Sequence, residues 1–158
     1  MHPRAEEFEE RVREEHGLEI EVREFADGTK TAADAAAAVG CTVGQIASSL
    51  VFEADGDAAV VVASGANRVS EEKLAARLGV DPTSVSMADA ETVKSVTGWA
   101  IGGVPPLCHA GDPPVLFDET LGEYDAVWAA AGTPTAVFPI DPETLRRCAD
   151  AESVDVAE

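Results

Sequence analysis

The residues best suited to chemistry lie in Thr97-Gly98-Trp99-Ala100-Ile101-Gly102-Gly103-Val104-Pro105-Pro106. Glycines let the backbone approach a ligand closely and the prolines stiffen the exit, so such a loop can aim N–H groups at developing negative charge. Standing alone, a Gly-Gly-x-Pro-Pro run is more often a tight connection than a site. Ser48 and Ser49, in Gln45-Ile46-Ala47-Ser48-Ser49-Leu50-Val51-Phe52, offer hydroxyls. Adjacent strand residues point to opposite faces, so at most one of the two is expected in a shared pocket. A serine nucleophile also needs a base, and His2, His16 and His109 belong to no triad pattern. Cys108-His109 follows the prolines directly, but sequence neighbours seldom turn their side chains toward each other, which favours a plain loop over a thiolate pair.

Further candidates sit at predicted strand ends. Asn67 and Arg68 follow Gly65, and Arg68 suits either a phosphate or a surface ion pair with Glu71 or Glu72. Asp118, at a strand end, suits a turn or cap. Of the two tryptophans, Trp99 beside the glycine loop could stack on a base, whereas Trp128 reads as core filling. Cys41 reads as a small buried residue.

The elements that must position these groups are legible from caps and periodicity. Arg4 to His16 reads as an amphipathic helix stopped by Gly17, and Leu18 to Phe25 alternates like a strand. Thr31 caps a helix from Ala32 to Val39 that Gly40 ends. Two β-rich runs around Asp55-Gly56-Asp57 predict a hairpin, with the Val60-Val61-Val62 run buried on both faces. Ser70 caps a helix to Leu78, and Ala88 to Val96 forms another that Gly98 ends. Strands are expected at Val115 to Asp118, Ala126 to Ala130 and Thr135 to Ile140, followed by a helix opening on Asp141-Pro142. The order lacks regular βαβ alternation, so the fold class is α/β of the α+β type: a mixed, largely antiparallel central sheet with surrounding helices. One domain spanning 1–158 is expected, with its core over about 18–149 and a frayed acidic tail at 150–158.

Thirty acidic against eleven basic residues give a net charge of -19, which argues against capture of DNA or any nucleic acid by bulk electrostatics at low salt. Such a surface stays hydrated at molar salt, where the Debye length is about 3 Å, so a halophilic setting is expected. Three cysteines without C-x-x-C spacing suggest neither disulfides nor a zinc site. No apolar stretch approaches a membrane span, and a cytoplasmic chain without a leader is expected.

Six segments in order carry a more specific signal: Gln45 to Phe52, Ser64-Gly65-Ala66-Asn67-Arg68-Val69, Gly102-Gly103-Val104-Pro105-Pro106, Phe117-Asp118-Glu119-Thr120-Leu121, Tyr124-Asp125-Ala126-Val127-Trp128 and Ala131-Gly132-Thr133-Pro134. Together they resemble the YbaK/prolyl-tRNA synthetase editing-domain family over about residues 18–149. The resemblance implies hydrolysis, in trans, of the ester on a mischarged tRNA, with the aminoacyl-adenosine end as ligand and a synthetase as possible partner. It implies no cofactor and no metal, because the ester is already activated and the terminal ribose hydroxyl can help handle water.

By the same resemblance Gly102, Gly103, Val104 and Ser48 fall at the catalytic positions. Pro105, Pro106, Ser49, Asn67, Arg68, Asp118 and Thr135 fall near bound substrate. Two departures stand out. Ser48 occupies the place of the family's lysine, so a point charge gives way to a neutral hydrogen bond of roughly 1 kcal/mol. Thr135 stands where close relatives often have histidine. Small residues around Ala47, Ser48 and Ala63 suggest a compact amino-acid side chain. The missing lysine keeps open a catalytically silent module that binds an aminoacyl or nucleotide ligand, or a partner protein. A serine or cysteine acyl hydrolase acting on other esters is the third reading. Arg68 and Arg77 are the candidates for a local basic patch toward tRNA.

Overall fold

The computed structural model describes residues 1–25 and 31–158, and its helices start and stop on caps written in the sequence. α1 (Pro3–His16) ends on Gly17 in the left-handed region. A short β1 (Arg23–Glu24) follows. α2 (Ala32–Val39) opens with the Thr31 hydroxyl accepting the Asp34 N–H. β2 (Ile46–Ala54) and β3 (Asp57–Ser64) form the expected hairpin, and Val60, Val61 and Val62 are wholly buried. Next come α3 (Glu71–Leu78), capped by Ser70, β4 (Val85–Met87), and α4 (Ala90–Thr97), capped by Asp89. β5 (Val115–Asp118), β6 (Val127–Ala130), β7 (Ala136–Ile140), α5 (Pro142–Cys148) and β8 (Glu152–Val154) complete the chain.

The eight strands form one mixed sheet in the order β1-β7-β6-β2-β3-β5-β8, with β4 paired to β2 off this path. Pairs β1–β7, β6–β7, β2–β3 and β2–β4 are antiparallel, while β2–β6, β3–β5 and β5–β8 are parallel. One face packs on α1, α4, α5 and the 99–108 loop through Phe8, Val12, Val93, Trp99, Val104 and Leu145. The other face packs on α3 through Leu74 and Ala75, and α2 covers its β2–β6 corner with Ala35 and Ala36 against Ile46 and Trp128. Among the described residues no helix is long and apolar enough to cross a membrane.

Three expectations need correction. The Leu18 to Phe25 alternation is right in period, since Leu18, Ile20 and Val22 pack on the core, but only Arg23 and Glu24 find a ladder partner, in β7. The tail from Asp150 is not frayed, because β8 pairs with β5 and Val154 and Val156 are buried against the α3 face. Nor does the core begin at residue 18: Ala5, Phe8 and Val12 of α1 are at most 1% exposed. Phe8 meets Trp99 edge-on at 6.0 Å and Phe138 at 5.2 Å between ring centroids. Phe8→Ala is therefore expected to cost about 3–5 kcal/mol in urea unfolding, as a truncated core aromatic does. A loss below about 1 kcal/mol would show that α1 is peripheral.

Candidate active site

β2 is flanked on one edge by two strands that do not meet. β6 pairs with it at Ile46 and Ala47, β4 at Phe52 to Ala54, and no described strand pairs with the stretch between. The ladder sets which main-chain groups face that gap. The Gly65 N–H bonds the Ile46 carbonyl at 2.8 Å, so Ile46, Ser48 and Leu50 turn their N–H and C=O groups toward β3. Ala47, Ser49 and Val51 turn theirs the other way, as the Ala88 N–H on the Val51 carbonyl at 2.9 Å confirms. Ser49 thus presents an N–H and a C=O to the gap with no strand opposite.

Facing this edge is the loop from Trp99 to Cys108, held shut at its ends. The Trp99 indole N–H donates to the Cys108 carbonyl at 2.9 Å, and the Trp99 backbone N–H donates to the Thr97 hydroxyl at 3.1 Å. The Arg4 guanidinium lies 3.9 Å over the indole and bonds the Gly98 carbonyl. Cys108 accordingly holds a left-handed φ of 62°, a conformation costly for a side-chain-bearing residue. His109 Nε2 donates to the Pro105 carbonyl at 2.8 Å and fixes the loop's exit.

At the tip, Gly103 donates to the Ala100 carbonyl at 3.0 Å and closes a turn. The Gly102 and Val104 N–H groups have no backbone partner among the described residues. Gly102 has φ 88°, and a Cβ on Gly103 would sit 2.6 Å from Thr133 Cα, so glycine is required at both positions.

Between edge and loop lies a cleft of about 310 Å³ whose walls include Ser48, Ser49, Ile101, Gly102, Val104 and Thr133. None of the described side chains lining it is ionisable. Met87 and Ile101, 56% and 52% exposed, form apolar lips, and Trp128 stands in the wall with the Arg23 guanidinium 5.0 Å over its ring. The cleft can hold an uncharged group, shield it from bulk water and offer it main-chain donors. Among the described residues it contains no side chain able to act as general base.

Of the residues singled out by sequence, Ser48, Ser49, Gly102 and Val104 come together here. Both serines line the cleft despite pointing to opposite faces, because it wraps around an unpaired strand edge; the expectation of at most one is corrected. Gly103, Pro105 and Pro106 lie buried behind the loop, and Thr135 reaches the cleft wall indirectly, with its N–H and hydroxyl on Thr133 Oγ1 at 3.2 and 3.3 Å. Asp118, 1% exposed, is elsewhere: it accepts the Ser64 N–H, the Asn67 amide and the Thr120 N–H at 3.0–3.1 Å, tying β5 to the end of β3. Asn67 is spent on that knot. Arg68 pairs with Glu158 rather than Glu71 or Glu72, and Arg77 pairs with Glu152, so neither builds a basic patch at the cleft. The tryptophans exchange roles, with Trp99 wholly buried and Trp128 half-buried at the cleft. Arg23 escaped sequence reasoning, since nothing local marks a strand-end arginine as the neighbour of an aromatic a hundred residues away.

Away from the cleft, Glu15, His16 and Cys108 bring ligating atoms within 4.8 Å of one another. The Glu15 carboxylate is already held by Arg11 at 3.0 Å, and burial pushes the Cys108 thiol up to about 12, which favours its neutral form over a ligating thiolate. Burial likewise raises Cys41.

Comparison with known proteins fits this geometry. Residues 26–148 match the aminoacyl-tRNA editing domain family, and the chain belongs to it. It is 31% identical over 128 residues to the uncharacterised protein YwhH of Bacillus subtilis (strain 168), covering 80% of each chain. It is 32% identical over 101 residues to a proline–tRNA ligase of Nitratidesulfovibrio vulgaris (strain DP4), covering 64% of this chain and 17% of the ligase. A crystal structure of a proposed trans-editing enzyme for prolyl tRNA synthetase superposes with a TM-score of 0.93 at 37% identity, covering 100% of this chain and 99% of the other.

The clamp at the loop exit makes a pH prediction. Burial lowers the His109 pKa from its ordinary 6.5, the hydrogen bond to the Pro105 carbonyl partly opposes it, and the Arg11 charge adds a smaller lowering. The unfolded chain then binds the extra proton more readily, so this contribution to stability is complete above about pH 6.5 and is lost as pH falls through the unfolded and then the folded value. Urea unfolding from pH 8 to pH 5 should show that acid-side loss, and His109→Gln should flatten it. Equal slopes in both proteins would contradict it.

Proposed function

We propose that the chain is a trans-acting deacylase that hydrolyses the ester joining an amino acid to the 3′ end of a mischarged tRNA. The observation that carries this reading is the pairing of an open strand edge with the Gly102–Val104 main chain across a cleft in which none of the described lining side chains is ionisable. Water attacks the ester carbonyl, its oxygen takes up negative charge beside the Gly102 and Val104 N–H groups, and the bond to the ribose 3′-oxygen breaks. The amino acid leaves as its carboxylate and the 3′-oxygen recovers a proton. With no base among the described residues of the cleft, the proton of the attacking water passes through the ribose hydroxyl of the substrate itself. No metal or cofactor enters this scheme.

Arg23 and Trp128 supply what Ser48 cannot. The ring gives the terminal adenine a stacking surface at the cleft wall, and the guanidinium gives the adjacent phosphate a cation, in place of the family's lysine. Arg23 makes no described ion pair. The charge of -19 supports a cytoplasmic setting of high ionic strength, where repulsion of tRNA is screened and contacts from backbone and hydroxyl groups hold the complex.

Release of amino acid from correctly and wrongly charged tRNAs in molar KCl tests the reading. Wild type should discharge a mischarged tRNA selectively. Gly102→Ala keeps the N–H but strains its φ of 88°, and by displacing that donor should lower kcat, by up to about 100-fold if the donor is lost altogether. Arg23→Ala should raise KM about tenfold with kcat little changed. Release absent from wild type but gained by Ser48→Lys would favour the silent binding module instead.

A further inference from the structure

Among the described residues, one buried side-chain oxygen or nitrogen lacks a hydrogen-bond partner, and it is the Oγ of Ser49, a residue that lines the cleft. Buried hydroxyls are almost always paired, and an exception calls for an explanation. Fold stability does not supply one. Alanine would fill the same space on the face shared with Ala47 and Val51 without stranding a polar atom. The orphan hydroxyl is best explained by a partner that arrives with the ligand.

The geometry points to an aminoacyl group bearing a side-chain hydroxyl, seryl or threonyl, as the selected substrate; this rests on the deacylase reading of the cleft. The open edge at Ser49 fixes the argument. An amino acid laid along that edge can donate an N–H of its neutral α-amino group to the Ser49 carbonyl, as a short added strand would. Its side chain then projects on the same face as that of Ser49, with Cβ atoms about 4.5–5.5 Å apart, the separation at which Ser and Thr side chains hydrogen-bond across a ladder.

Other groups of the ligand fit Ser49 Oγ less well. A lone hydroxyl among Ala47, Val51, Val93 and Val104 is too little to solvate a buried ammonium, whereas it matches a neutral hydroxyl. An alanyl group would fit the space and leave Ser49 Oγ unpaired. That mismatch is the basis of discrimination, because a site that hydrogen-bonds a substrate hydroxyl rejects the analogue lacking it more strongly than a purely apolar pocket rejects an extra methylene.

The test uses one tRNA charged with serine, threonine or alanine, discharged by wild type, Ser49→Ala and Ser49→Thr, together with binding of the non-hydrolysable 3′-amide analogues seryl-adenosine and alanyl-adenosine. Wild type should prefer seryl over alanyl by about 10–100-fold in kcat/KM. Ser49→Ala should bring that ratio toward one, Ser49→Thr should keep it, and Ser49→Ala should unfold at no lower urea concentration than wild type. Release of alanine as fast as serine, or a ratio untouched by Ser49→Ala, would overturn the inference and leave the deacylase reading standing. If no ester is cleaved, the deacylase reading fails. Tighter binding of the seryl amide, lost in Ser49→Ala, would then uphold the selectivity, and equal or absent binding of both amides would end it.

Discussion

One edge of β2 must serve two neighbours, and the site depends on that constraint. β6 runs parallel to it and β4 antiparallel, and each stops after two or three residues. Sheets seldom leave interior main-chain groups unpaired, since a buried N–H or C=O without a partner costs as much as a lost hydrogen bond. Here the gap falls at Ser49, and the cleft opens where the missing strand would lie. The Trp99–Cys108 clasp holds the loop that forms the opposite wall, so the open edge and the Gly102–Val104 main chain line one cleft, with no charged side chain among its described lining residues.

A site built from main chain and small side chains has consequences for electrostatics. Ionic contacts weaken as salt rises, whereas hydrogen bonds from peptide groups and hydroxyls are far less sensitive to it. Most basic side chains are already engaged with nearby acids or carbonyls, as in Arg11–Glu15, Lys73–Asp155, Arg146–Glu143 and the Lys94 contact with the Gly98 carbonyl. Arg23 is different, standing over an aromatic ring at the cleft. In the proposed reading Arg23, from another strand, offers the cation that Ser48 cannot, in a chain of net charge -19.

Much of the architecture could be read from local chemistry. Thr31, Ser70 and Asp141 cap helices at the expected places, Gly17, Gly40, Gly79 and Gly98 stop them, and β5 has the expected bounds. These features are set within a few residues of one another, where cap and turn geometry act. What escaped is long-range. β8 looked like a frayed acidic tail because Glu152, Ser153 and Asp155 mask the two valines that dock on α3, and β4 is too short to show a period. Of the candidate site, type and spacing drew attention to the glycine loop and the serine pair but favoured plain structural roles, and the family resemblance is what singled them out. The exchange of roles between Trp99 and Trp128 was not, because it depends on α1 covering one ring with Phe8 and Arg4.

Amide hydrogen exchange at Ser49 tests the central claim most directly. In the free protein the Ser49 N–H should exchange far faster than those of Ser48 and Leu50, which pair with β3, and a non-hydrolysable 3′-aminoacyl-adenosine amide should slow it selectively. Protection equal to its neighbours in the free protein, or no change on adding the analogue, would mean that the β2 edge is not where the aminoacyl group binds.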